Sequence, residues 1–202
     1  GALMAAVLVG GIKSAHELGH AYTAVHFGCR VPTMGIAFML MAPLLYTDVT
    51  DAWKLRDRRQ RMHIDSAGVR VELSIASIAL FLWPFLPEGP LKGAAFMLSA
   101  ISLITSLFIN LNPFMRFDGY YLLTELLKVE NLQPRAFALG RWQLREWLFN
   151  LRHPCPEEMP PGRRAIVILY AWGVWIYRLV LFTGIALLVY HYFFKVLGIV
   201  LF

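Results

Sequence analysis

The chain has 202 residues, of which 58% are hydrophobic and 16% charged, and its mean hydropathy is +0.56. Ordinary soluble domains carry about 25% charged residues, so the composition points to membrane solvent rather than water. A formal charge of +6 does not imply nucleic acid as a partner: such a domain presents a basic face on a polar chain, whereas here the bases sit between apolar blocks.

Four hydrophobic helices are expected, at about 2–27, 66–86, 93–113 and 164–191. The charge-free window from Gly93 to Met115 alone has the length of a membrane span, which needs about 20 residues. The expectation is therefore an all-α membrane protein with about four transmembrane helices, forming a single membrane-embedded core over residues 1–202. The chain begins at Gly1, and its first apolar stretch lacks the basic start of a signal peptide, so it reads as a core excised from a longer protein. Cys29 and Cys155 form no CxxC pair and read as free thiols.

Within the first helix lies His16-Glu17-Leu18-Gly19-His20, an HExxH pattern. At 3.6 residues per turn the two imidazoles stand about 40° apart on one face and about 6 Å apart along the axis, so both can hold one ion. Glu17 sits beside them, suited to take a proton from a metal-activated water. Buried structural histidines are the alternative, but two His and a Glu in one turn of a lipid-spanning helix are costly and point to function.

Next, Thr33 to Tyr46 is apolar, too short for a comfortable span and interrupted by Pro43, which reads as a re-entrant or β-like loop after the first helix. Non-helical backbone at that depth must line protein or a water-filled cavity. The bases Lys54, Arg56, Arg58, Arg59 and Arg61 follow, whereas the turn from Pro87 to Leu91 holds only Glu88, so the positive-inside rule assigns the first side to the cytosol. Those bases would also suit anionic lipid. Glu72, in the second helix, has three readings: partner of a ligand histidine, partner of Arg178 in the fourth helix, or a group near the interface beside Arg70.

A catalytic zinc site takes three protein ligands and keeps one position open, so a third ligand is needed. The best candidate is Asp118, after the third helix in Asn110-Leu111-Asn112-Pro113-Phe114-Met115-Arg116-Phe117-Asp118-Gly119. If the loop at 33–46 only dips into the membrane, the first and third helices end on the same side and Asp118 can reach His16 and His20. Asp48 and Asp51 are rivals, more simply explained by capping ahead of Ala52-Trp53. His26, His63, His153 and His191 lack ligand spacing, and Trp53, Trp142, Trp147, Tyr120 and Tyr121 suit the headgroup region.

HELGH in a first transmembrane helix, together with Asn110, Pro113, Asp118 and Gly119 in an NxxPxxxxDG arrangement, resembles the site-2 protease family of intramembrane zinc metalloproteases. The wording around the second motif is similar to a bacterial branch of peptide zinc metalloproteases often found beside secretion-adaptor genes. The resemblance implies one zinc ion on His16, His20 and Asp118, water activation by Glu17, and Asn110 holding the substrate backbone or the developing oxyanion. A helix-end hydrogen bond is the plainer role for Asn110. It further implies a membrane-associated peptide or protein substrate, pairing as a strand along the 33–46 loop, in a bacterial cytoplasmic membrane with the active site toward the cytosol. Where the family often has Ala-Gly-Pro and then Asn, this chain has Ala67-Gly68-Val69 and then Glu72.

Two other readings stand against this one. A catalytically inactive protein of the same fold could bind a peptide or assemble with an export apparatus, though retention of Glu17 argues otherwise. A membrane di-iron oxygenase would need several histidine boxes, and six histidines with one ligand-spaced pair are too few.

Overall fold

The computed structural model describes residues 2–39 and 42–201. Its elements are α1 (Ala2–His26), β1 (Met34–Met39), β2 (Ala42–Thr47), a 3-10 turn (Thr50–Lys54), α2 (Arg58–Asp65), α3 (Ala67–Leu82), a second 3-10 turn (Trp83–Phe85), α4 (Pro90–Ile104) continuing into a π turn (Thr105–Asn110), α5 (Asp118–Leu127), α6 (Leu132–Phe149) and α7 (Pro161–Leu201). The protein is mostly helical, with one small two-stranded sheet among the described residues. Among the described residues three helical stretches are long and apolar enough to cross a membrane: Ala67–Phe85, Pro90–Asn110 and Pro161–Lys195. These features mark a membrane protein.

The chain divides into two compact units, Gly1–Lys128 and Val129–Phe202. In the first, α1, α3 and α4 pack on one another, β2 lies along α1, and α2 contacts α1 and α5. Small residues make this close packing possible: Ala67, Gly68, Ala76 and Ala79 of α3 are buried, while Ile78, Phe81, Leu107 and Phe108 are exposed. Close approach of small residues is how helices pack in lipid, where apolar burial supplies no drive. α1 ends at His26, and Gly28 just past it has a φ of +79°, which suits the left-handed position after a helix C-terminus. Beyond it Ala24, Cys29, Ala52 and Ile64 form a small buried core.

The segment expected to be β-like is an antiparallel hairpin, with Met34 opposite Thr47 and Ile36 opposite Leu45; residues 40 and 41 lie outside those described. The third hydrophobic helix starts earlier than expected because Gly89 leads into Pro90, a residue preorganised for the first helical position. It ends at Asn110 rather than Pro113, after Leu111 N donates to Ser106 O at 2.9 Å, a five-residue step that widens the last turn. α2, α5 and α6 form where the sequence reading found only polar connections. In the second unit α6 packs on α7, which begins at Pro161 and runs 41 residues.

Candidate metal centre

α1 presents His16 and His20 from successive turns, and both are buried. Their ring centroids are 4.9 Å apart, and their Nε2 atoms 3.2 Å. Asp118, the first residue of α5, brings Oδ2 to 3.2 Å from His16 Nε2 and 3.3 Å from His20 Nε2. The three expected ligands therefore converge, and they could hold a metal ion.

Glycines create the space. A Cβ on Gly68 would lie 2.4 Å from His16 Nε2 and Cε1, so α3 can run beneath that ring only without a side chain there. A Cβ on Gly119 would lie 2.3 Å from Leu111 O. The Asp-Gly pair thus lets α5 start against the turn that follows Asn110.

The hydrogen-bond partners fix the tautomers. His20 Nδ1 donates to Ile64 O at 2.8 Å, and His16 Nδ1 to Glu72 Oε1 at 3.0 Å. In a neutral ring this leaves each Nε2 an acceptor. Both lone pairs then face Asp118 Oδ2, a buried oxygen with no hydrogen-bond partner. Three acceptors converging on one point require positive charge between them, and two imidazoles with a carboxylate are a suitable donor set for a divalent transition ion. Burial works against the Asp118 carboxylate, yet with a proton on Nε2 the two rings donate to it and hold it at about 2, well below the usual range. The site favours a cation.

Behind His16, fully buried Glu72 gathers donors from four more side chains. Lys13 Nζ is 2.8 Å from Oε1; Asn110 Nδ2 and Thr105 Oγ1 donate to Oε2 at 2.9 and 3.1 Å, and Ser106 Oγ also donates to Oε2. Of its three expected readings, the partner of a ligand histidine is the one observed. Its cation within the first unit is Lys13; in the second unit the Arg178 guanidinium lies 5.4 Å over the Phe137 ring. Asn110 is buried and its amide donates to Glu72, a contact of the helix-end kind that was one of its two expected readings; it does not line the cavity described next.

The metal-ligand side opens on a cavity of about 420 Å³ lined by Glu17, His20, Tyr46, Asp65, Asp118 and Glu125, among others. Glu17 is half-buried, and its carbonyl accepts from Thr47 Oγ1 at 3.2 Å, which ties β2 to the HExxH turn. Asp48 and Asp51 serve local structure: Asp48 Oδ1 accepts from Thr50 N and Asp51 Oδ2 from Arg30 N, both at 2.9 Å; the Thr50 side chain and then its N–H lower the Asp48 carboxyl, and the Arg30 N–H lowers that of Asp51. Burial, with the Glu125 carboxylate nearby, pushes Asp65 up to about 7.

Several contributors were not foreseen. Arg61, read only as part of a basic run, forms a two-pronged bond to Glu125 (2.8 and 2.9 Å) and so fastens α2 to the helix bearing Asp118. No sequence signal links residues 61 and 125. Lys13 had one available: it lies three residues before His16, on the same helix face. Tyr120 is buried within the protein, whereas Trp53, Trp147 and Tyr121 are exposed. Cys29 and Cys155 are free thiols. Comparison with protein-family models and with curated proteins finds no match for the chain.

Proposed function

We propose that the chain is an intramembrane zinc metalloprotease of the site-2 protease type, cleaving a peptide bond of a membrane-associated peptide or protein. The observation that carries this reading is the convergence of His16 Nε2, His20 Nε2 and the orphaned Asp118 Oδ2 beside a cavity lined by Glu17. Zinc held there would supply Lewis acidity, bringing the pKa of a water toward 7 and polarising a carbonyl. Glu17 takes a proton from the attacking water as its oxygen bonds to the peptide carbon. The same carboxyl returns a proton to the amide nitrogen as the C–N bond breaks. Glu72 and Ile64 O orient the two imidazoles through their Nδ1–H groups, and Asn110 acts through Glu72.

In this reading α1 is a fourth span, its polar turn tolerated because His16, His20 and Lys13 have partners inside the protein. The hairpin 34–47 is the re-entrant element, and its unpaired edge accepts an extended substrate segment. The basic run before α3 sets the catalytic side toward the cytosol of a bacterial cell membrane, where a secretion-adaptor protein is a candidate partner. A non-catalytic relative binding a peptide would have no use for Glu17. The test is a Glu17→Gln chain: zinc should stay at about one per chain while cleavage of a co-expressed membrane peptide stops. Cleavage equal to the parent's overturns the assignment.

A further inference from the structure

The second unit carries a cationic cleft of its own, independent of the metal centre. α7 is 41 residues long, or about 60 Å at 1.5 Å per residue, twice the roughly 30 Å of a hydrocarbon core. Only part of it can lie in lipid tails. Between Leu179 and Phe194 there is no charged residue and nearly every position is exposed. Just before this stretch come Trp172, Trp175 and Arg178, residue types that settle at the headgroup level. α6 crosses α7 at that same level. A Cβ on Gly140 would lie 2.9 Å from Ala171 Cβ, Phe137 stacks on Trp175 at 5.9 Å, and Arg178 sits over Phe137. α6 therefore lies at the depth of lipid phosphates.

Along α6 the connection to α7 folds back to form a cleft of about 530 Å³, lined by Arg141, Trp142, Arg145, Glu146 and His153, among others. The fold-back is fixed: Trp142 Nε1 donates to His153 O at 3.0 Å, and Glu146 accepts from Arg152 N and His153 N at 2.9 Å each. The Glu146 carboxylate is thus occupied by backbone. Arg141 and Arg145, one turn apart and exposed, use only Nε for contacts to α6 carbonyls, at 3.2 and 3.5 Å. Neither pairs with an acid among the described residues. Next to them Trp147, Leu148 and Phe149 are 77%, 56% and 67% exposed, an apolar edge that suits the boundary between headgroups and acyl chains.

We propose that this cleft binds the phosphate of an anionic phospholipid through the free ends of Arg141 and Arg145, with the Trp147–Phe149 edge seated in the leaflet. Guanidinium pairs suit phosphate because their paired N–H donors match its oxygens. Charge complementarity and continuity with the lipid-facing part of α7 favour a bilayer over a soluble anion.

The experiment compares retention of phosphatidylglycerol and phosphatidylcholine by the full chain in mixed micelles, using native mass spectrometry. Phosphatidylglycerol should be preferred, and Arg141→Gln/Arg145→Gln should weaken its retention at least about tenfold, in line with the attraction each base contributes near an anionic surface. Lys92→Gln, a base already paired with Glu88 and outside the cleft, serves as the control and should leave retention unchanged. If the double variant does not fold, the parent decides: brominated phosphatidylglycerol should quench its tryptophan emission more than brominated phosphatidylcholine, and added salt should abolish the difference. Equal retention or equal quenching of the two lipids overturns the proposal, as does complete displacement by millimolar inorganic phosphate, which would assign the cleft to a free anion.

Discussion

Glu72 Oε1 accepts from His16 Nδ1 at 3.0 Å, which makes a fully buried carboxylate the orienting partner of a metal-ligand candidate. Five donors converge on it from α1, α3's neighbours and the π turn, and a glutamine offers one acceptor oxygen where the carboxylate offers two. Glu72→Gln should therefore lower zinc affinity by about 10–100-fold. Chelator competition on the purified chain measures this; unchanged affinity would mean that His16 is held by packing alone.

Gly68→Ala tests that packing. Its new methyl would meet the His16 ring at 2.4 Å, so the ring must move or the helices part, at a cost of about 1–3 kcal/mol. The expected result is a lower melting temperature and loss of bound metal together. Gly93→Ala, where nothing lies within 4 Å, is the matched control and should be neutral or stabilising, since alanine is the better helix former.

The Arg61–Glu125 pair joins α2, whose Ile64 O orients His20, to α5, which begins at Asp118. Its side chains are 22% and 7% exposed, so removing one partner leaves a largely desolvated charge. Glu125→Gln should cost about 2–3 kcal/mol of stability. Denaturation of the single and double variants in a cycle with Arg61→Gln would show a coupling of similar size, and additive effects would dissociate the pair from the site.

Asp65 supplies a pH signature in the chelated chain. Its folded-state value of about 7 lies above the ordinary 3.8, so between those values the folded state holds a proton that the unfolded state has lost. Stability contributed by the protonated carboxyl is present at low pH and falls as pH rises toward 7, by up to about 1.4 kcal/mol per unit of displacement. Asp65→Asn should therefore melt higher than the parent at pH 8, and its advantage should shrink toward pH 4. An advantage independent of pH would contradict this origin.

Chelation itself should destabilise the chain. Without a cation, His16 Nε2, His20 Nε2 and Asp118 Oδ2 face one another at 3.2–3.3 Å. Added zinc should raise the melting temperature in proportion to the logarithm of its concentration. Asp118→Asn should blunt that response by removing the anionic ligand.

Some of this was determined by sequence alone, because it depends on local spacing. A spacing of four from His16 to His20 puts both on one helical face, Pro90 starts a helix, and long charge-free runs mark the apolar helices. Asp118 was legible as the candidate third ligand through the break at Pro113 and the turn at Gly119. Other features depend on which elements meet. Glu72 had three possible roles until α3 packed against α1 and the π turn, where Lys13, His16 and Asn110 surround it. Asn110 had two readings, substrate contact or helix-end hydrogen bond, and which group its amide meets was decided only when the π turn packed beside Glu72. Arg61 looked like a topological charge until α2 met α5. A one-dimensional pattern fixes the face of a helix; the neighbour that covers that face is chosen by packing, and the packing chose the carboxylate that aims the first histidine.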